Sequence, residues 1–352
     1  MKKLRVAIIG SGGVAQFAHL PGWQKVRGAE IAALSDVSKR TLAQAGRKFG
    51  VSKTYLDYEK MLKEVRPDAV SVCTWNAAHR DATVAALNAG AHVLVEKPIA
   101  MNAREAAEMV KVARRNGKLL MVAFNNRFRP EVQYLKREIS RGLFGEIYYA
   151  EAIYVRRRGI PGWGVFTEKS RSGGGALLDV GVHMLDMTLY LMGHPRPVSA
   201  FGGAFAKIGT KPRQVFGMGR FSPRKFGVED FGVGLVRFET GACLLLKASW
   251  AANTPGDVNL TLLGDEGGCT LSPFTIYTEK GKTLVNVTPV DLPKVDGYAE
   301  EVRVFAEAIR KGLPSPIPGE QGLMATAILD AIYRSAETGK EEPVELPEGI
   351  SA

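Results

Sequence analysis

The sequence predicts an α/β chain in two parts. Parallel strands alternate with helices over residues 1–123, and an α+β domain occupies residues 124–352. Three observations carry that expectation. Short continuous apolar runs alternate with amphipathic stretches up to residue 123, the pattern of a sheet buried on both faces and built of right-handed βαβ units. A glycine-rich turn follows the first run directly. Beyond residue 125 the runs lengthen and turn signals separate them, which reads as antiparallel strands.

The run LRVAII (4–9) is the first expected strand, and a helix follows Gly10-Ser11-Gly12-Gly13. EIAALS (30–35) ends at Asp36 and leads to a helix from Lys39 to Phe49, with Asp57 placed to cap another short helix. DAVSVCT (68–74) is the third strand, and Gly90 closes a helix that starts at His79. HVLVEKP, a helix from Ala103 to Gly117, and LLMVAF complete the first domain. One more helix, Pro130 to Arg141, precedes strands at EIYYAEAIYV, VSAFGGAFA, FGVGLVRFE, ACLLLKASWA, NLTLLGD, CTLSP and FTIYTE. Late helices are expected over 297–311 and 319–338.

The chain of 352 residues carries 47 Lys and Arg against 36 Asp and Glu, a net +11. The cations are spread along the chain and match no nucleic-acid motif, so anionic metabolites suit that charge better than nucleic acid. Cys73, Cys243 and Cys269 form no disulfide framework, which fits a reducing compartment. The apolar run near the N-terminus is too short for a secretory signal, and no stretch reaches the length of a membrane span. A cytoplasmic protein with no membrane partner is expected.

Gly10-Ser11-Gly12-Gly13-Val14-Ala15 fits G-x-G-x-x-A between a strand and a helix. Gly10 permits the tight turn, Gly12 and Gly13 let backbone approach a pyrophosphate, and Ala15 allows close helix packing. Asp36 stands where a carboxylate meets the adenosine ribose, which favours NAD; it also fits a helix N-cap. Arg40 is placed to hold a 2′-phosphate, so NADP stays open.

Thr74-Trp75-Asn76 and Glu96-Lys97-Pro98 fall at carboxyl ends of parallel strands, where open α/β sheets bind ligands. Lys97 at the end of a core strand needs a cleft or a partner, and Pro98 is expected to take the cis form. Gly173-Gly174-Gly175 precede a helix, which suits close approach of a ligand. Asp179 and His183 lie four apart on that helix, an arrangement for proton transfer or, equally, a capped core helix. Asp186 alone does not make them a metal site, and none is expected.

These motifs together resemble the Gfo/Idh/MocA oxidoreductases: G-x-G-x-x-A, then Thr74, Asn76 and His79 as T-x-N-x-x-H, then E-K-P, then GGG-x-x-x-D-x-G-x-H from Gly173 to His183. The resemblance covers nearly the whole chain. It implies a Rossmann NAD(P)-binding domain, then an open, mostly antiparallel sheet for substrate binding and oligomerisation. It implies an NAD(P)-dependent dehydrogenase of a sugar or polyol hydroxyl. Lys97 would bind the reacting oxygen, His183 would act as base, and Asp179 would share its proton network. Asn76, His79, Glu96, Asn125 and Val165 would line the cofactor; Arg127 and Trp163 would lie near cofactor and sugar. Trp75 departs from the proline that the family usually carries.

Arg156, Arg157 and Arg158 leave the first strand of the second domain, with Arg157 opposite to its neighbours by alternation. Arg157 suits an anionic substrate group; the cluster equally suits a solvated basic edge. Apolar residues on the sheet's outer face suit a homodimer or homotetramer. Two other functions share the motifs: a redox-neutral NAD-dependent glycosidase-like enzyme, and a non-catalytic dinucleotide sensor or repressor.

Overall fold

The computed structural model describes residues 3–212, 215 and 217–347. The chain divides into two units. One holds residues 3–128 together with Asp296–Leu323; the other holds Arg129–Val295 and residues 324–347.

The first unit follows the expected alternation. Its strands are β1 (Leu4–Ile9), β2 (Ala29–Ser35), β3 (Thr54–Tyr55), β4 (Ala69–Val72), β5 (His92–Val95) and β6 (Leu120–Val122). Between them run α1 (Leu20–Lys25), α2 (Lys39–Phe49), α3 (Tyr58–Val65), α4 (His79–Asn88) and α5 (Ala103–Arg115). A π-helical turn, Ala15–His19, leads into α1. The sheet is wholly parallel, in the order β3-β2-β1-β4-β5-β6. Its order reverses between β1 and β4, so a crevice opens beyond the carboxyl ends of those strands. β4 is buried at every position, as a strand covered on both faces must be. Asp57 caps α3, accepting from the N–H groups of Glu59 and Lys60. β3 is only two residues long and left no periodic signal in the sequence.

The second unit begins with α6 (Pro130–Ser140), β7 (Ile147–Val155) and α7 (Lys169–Ser172). A π-helical turn, Leu177–Gly181, runs into α8 (Val182–Met192). The strands β8 (Pro197–Phe205), β9 (Phe231–Phe238), β10 (Cys243–Ser249), β11 (Asp257–Gly264), β12 (Gly267–Leu271), β13 (Phe274–Lys280) and β14 (Thr283–Val287) follow. The chain then forms α9 (Gly297–Lys311) and α10 (Gly319–Thr338), and ends its described part with β15 (Glu342–Pro343). The nine-stranded sheet has the order β14-β13-β12-β11-β7-β10-β9-β8-β15. The sheet is mostly antiparallel, but β7 and β10 pair in parallel, which the hydrophobic pattern alone does not announce.

One face of this sheet is covered. A Cβ on Gly181 would lie 3.0 Å from Cβ of Ala248, so the π-helical turn sits tightly on β10. The other face keeps a row of paired residues, Phe201, Leu235 and Leu245, across β8, β9 and β10. Phe201 and Leu235 are 53% and 42% exposed there. Contrary to the expectation from the sequence, one helical stretch, Lys169–Met192, has the length and hydropathy of a membrane span, although 78% of its apolar window is buried within the fold.

Candidate active site

In the first unit the glycine turn has the shape its residues suggested. Gly10 takes φ +86°, and a Cβ there would stand 2.6 Å from the carbonyl of Cys73. No residue other than glycine fits that approach of β1's end to β4's end. A Cβ on Gly12 or Gly13 would meet nothing within 4 Å, which leaves the outer side of the turn open to a phosphate. Ala15 is fully buried and Val14 half-buried. Asp36 is not the cap of α2; that role belongs to Ser38, whose hydroxyl accepts from Thr41 N–H. The Asp36 carboxylate accepts from Ser11 N–H and Ser38 N–H, each at 2.8 Å, one on each oxygen. It is thus fixed beside the phosphate turn with lone pairs left for ribose hydroxyls. Arg40 is exposed near the start of α2.

The E-K-P turn follows β5. Glu96 is 7% exposed, and its Oε1 lies 3.1 Å from Nε2 of fully buried His19. Its Oε2 accepts the Lys97 main-chain N–H at 3.1 Å. A buried carboxylate needs such partners, and here they aim the turn that carries half-buried Lys97. The Lys97-Pro98 bond is cis, as expected. His79, 1% exposed, has Nδ1 2.8 Å from the Pro98 carbonyl and Nε2 3.1 Å from the Thr74 carbonyl. It ties the Thr74-Trp75-Asn76 turn to the Glu96-Lys97-Pro98 turn. Burial pushes its pKa below the usual histidine range, against the pull of the Pro98 carbonyl and the Glu96 charge. Trp75 is 37% exposed, and Asn76 opens a 3₁₀ turn ahead of α4. Asn125 is half-buried in a second 3₁₀ turn, Asn125–Phe128. Arg127 is 2% exposed; it donates to Gln321 Oε1 at 2.6 Å and lies over the Phe124 ring.

In the second unit the triple glycine makes room for protein. A Cβ on Gly174 would stand 2.2 Å from the Tyr333 hydroxyl, and one on Gly175 1.9 Å from the Glu229 carbonyl. This corrects the expectation that these glycines admit a ligand. Glu229 accepts from Gly175 N–H (2.8 Å), Leu177 N–H (2.9 Å) and the Tyr333 hydroxyl (2.8 Å). Burial pushes the Glu229 carboxyl up while those three donors pull it down. Asp179 and His183 are both half-buried, one on the π-helical turn and one on α8. Trp250 Nε1–H donates to Asp179 Oδ2 at 2.9 Å. Trp163, 53% exposed, meets Phe166 edge-on, and Phe166 meets Trp250 the same way; Val165 is half-buried beside them. Arg156 packs over Tyr154 and Arg158 donates to Asn253 Oδ1, whereas Arg157 is exposed.

Three residues with evident roles escaped sequence reasoning: His19, Glu229 and Trp250. Each acts on a partner 52 to 77 residues away in sequence, and no local spacing encodes such a pairing. The buried glutamate in the E-K-P motif was the nearest signal, since it demanded a partner.

Comparison with known proteins shows the family and the fold. Residues 4–124 match an oxidoreductase family with an NAD-binding Rossmann fold, and residues 132–270 match the GFO/IDH/MocA C-terminal domain. The chain is 38% identical over 340 residues to D-glucoside 3-dehydrogenase of Escherichia coli strain K12, covering 96% of each chain. It is 26% identical to myo-inositol 2-dehydrogenase of Thermotoga maritima, covering 97% of this chain and 99% of that one. An oxidoreductase domain protein from Kribbella flavida shares the fold, with TM-score 0.85 at 22% identity over 98% of this chain and 100% of that one. The phosphate turn, the E-K-P turn and the Asp179–His183 helix, on a parallel sheet followed by an open mixed one, make this chain a member of the Gfo/Idh/MocA oxidoreductase family.

Proposed function

We propose that this protein is an NAD-dependent dehydrogenase that oxidises a ring hydroxyl of a glucoside to the ketone. The observation that carries the reading is the similarity to D-glucoside 3-dehydrogenase at 38% identity across 96% of both chains. The open phosphate turn and the fixed Asp36 carboxylate fit NAD. Bound NAD supplies the acceptor for the hydride. Lys97 hydrogen-bonds the reacting oxygen and lowers its proton affinity. His183 takes the hydroxyl proton as the C–H electrons leave, and Asp179 belongs to the network that carries that proton away. Trp163 offers an exposed aromatic face to the sugar. The substrate hydroxyl thereby loses one proton and the carbon one hydride, which balances the oxidation.

Supporting a cytoplasmic setting are three free cysteines, two of them buried. Supporting a homodimer or homotetramer is the apolar row Phe201, Leu235 and Leu245 on the uncovered sheet face.

The test is NADH formation, followed by absorbance, with purified protein, NAD and a panel of glucosides, free aldoses, inositols and sugar phosphates. Stoichiometric NADH with a glucoside supports the reading. Aglycone release without net NADH would replace it by the redox-neutral glycosidase. Tight NAD binding with neither product would make the protein a sensor. Lys97→Ala should lower kcat by about 10²–10⁴-fold while NAD still binds.

A further inference from the structure

Asp179 is held from two directions by one dipeptide. Glu229 and Asp230 stand just before β9, 7% and 1% exposed. The Glu229 carboxylate closes the turn that opens the Asp179 helix, and its carbonyl accepts Ala176 N–H at 3.3 Å. The Asp230 carbonyl accepts Trp250 N–H at 2.8 Å and the Ser249 hydroxyl at 3.0 Å. Its carboxylate accepts Ile208 N–H and Gly209 N–H at 2.7 and 2.6 Å. Trp250, so anchored and fully buried, donates its indole N–H to Asp179 Oδ2 at 2.9 Å. The same indole backs Phe166, on which Trp163 rests.

We propose that Trp250 is a positioning residue for proton transfer: its indole N–H stabilises the ionised Asp179 carboxylate and fixes its orientation, and Glu229-Asp230 hold the two in register. This rests on the reading of Asp179 and His183 as the proton-transfer pair. An indole donates but cannot accept. It therefore favours the carboxylate over the acid, where a hydroxyl would serve either. The bond is charge-assisted, and its donor is fully buried while Asp179 is half-buried.

Other titratable groups lie on the elements packed around this turn. α8 brings His183 and Asp186, the residues before β9 are Glu229 and Asp230, and the end of β7 brings Tyr154, whose hydroxyl accepts from Arg156. Lys247 alternates with Leu246 and Ala248 and so lies on the sheet's other face. The carboxylates of Glu229 and Asp230 are taken up by main-chain N–H groups and Tyr333, and the Trp250 indole donates to Asp179 Oδ2.

Trp250→Phe keeps a ring against Phe166 and removes the donor. With a glucoside, its kcat should fall about 10–100-fold, the scale of one hydrogen bond to a charged group. KM and NAD affinity should stay within about twofold. The acidic limb of the kcat profile should move to higher pH, because the carboxylate has lost its stabilisation. A merely structural role would lower kcat at every pH and leave the limb in place.

A second readout does not depend on turnover. The chain has 4 tryptophans, so ¹⁵N-tryptophan labelling gives four indole resonances, and Trp250 is assigned by its loss in W250F. Its shift should titrate with Asp179, and that titration should vanish in Asp179→Asn. Should W250F not fold, wild-type and D179N spectra decide alone, by one titrating indole present in the first and absent from the second. A Trp250 resonance flat with pH, or an unmoved acidic limb in W250F, would overturn the proposal. Wild-type protein inactive on every glucoside, with Trp250 still titrating, would sink the dehydrogenase reading and leave the Trp250–Asp179 coupling standing.

Discussion

Glu301 offers a test of the fold's internal electrostatics. It lies on α9, fully buried, and neither carboxyl oxygen has a hydrogen-bond partner among the described residues. Burial pushes its pKa well above the usual carboxylate range, and the charges of Glu96 and Asp296 push the same way. The native chain therefore keeps a proton that the unfolded chain releases near about pH 4.3. The contribution of Glu301 to stability is greatest below that pH. That contribution falls by about 1.4 kcal/mol per pH unit as pH rises, until the native carboxyl itself ionises. Glu301→Gln keeps the shape and cannot titrate, so its advantage over wild type should grow at that slope through the window. Glu301→Met removes the unmet oxygens altogether. At about 1–3 kcal/mol for each of the two buried unpaired oxygens, the gain should be about 2–6 kcal/mol, or roughly 3–8 °C in Tm. The assay is a set of thermal melts at successive pH values for the three proteins. A wild-type-to-Gln difference that is constant with pH, or a Met variant less stable than wild type, would show that the carboxyl is satisfied in the native fold and refute the reasoning.

Other outcomes follow from the same geometry. Gly175→Ala would push a methyl group against the Glu229 carbonyl; it should cost about 3 kcal/mol or more and show as a lowered Tm. Gly12→Ala meets only open space, so its ligand-free Tm should match wild type, while NAD affinity by calorimetry falls about tenfold or more as the methyl group crowds the phosphate. Asp36→Ala should shift the ratio of NADP to NAD affinity about tenfold toward NADP, because the carboxylate that repels a 2′-phosphate is gone. Leu235→Glu places a charge in the apolar row of the open sheet face and, on the proposed homo-oligomer, should shift sedimentation toward smaller species at unchanged secondary structure.

The first unit was legible because its strands are buried on both faces and its helices carry explicit punctuation. Lys39–Phe49 stands where the periodicity put it, and Asp57 caps α3 as its side chain suggested. The strands β3 and β15 were missed because two residues carry no period. Helix α9 was expected over the right residues, but an amphipathic stripe says only that a face is buried. That α9 packs with the first unit, through Trp23 against Phe305, is a tertiary fact. The site divides in the same way. Gly10, Asp36 and the E-K-P turn are read from a local motif. The role of Gly174 and Gly175 was misjudged because the groups that need the space, Tyr333 and Glu229, lie more than fifty residues away in sequence. Asp179 was found from its spacing to His183, and its donor Trp250 from nothing local.

The place of β7 has a consequence for how the chain assembles. β7 sits in the middle of the nine-stranded sheet, yet its two neighbours, β10 and β11, are made roughly a hundred residues later. On one side β8, β9 and β10 form a local meander; on the other, β11 to β14 form a second. β9 joins β10, and β11 to β14 join one another, through short loops, while β8 reaches β9 across residues 206–230; β7 must wait for both sides. Loop closure across that length is entropically costly and slow. Until it happens, β7 presents two unpaired edges rich in Tyr, Ile and Val, the composition most prone to pair with another chain. A nascent chain ending before Cys243 would carry that exposed strand with no partner, so β7 marks the segment where aggregation competes with folding during synthesis.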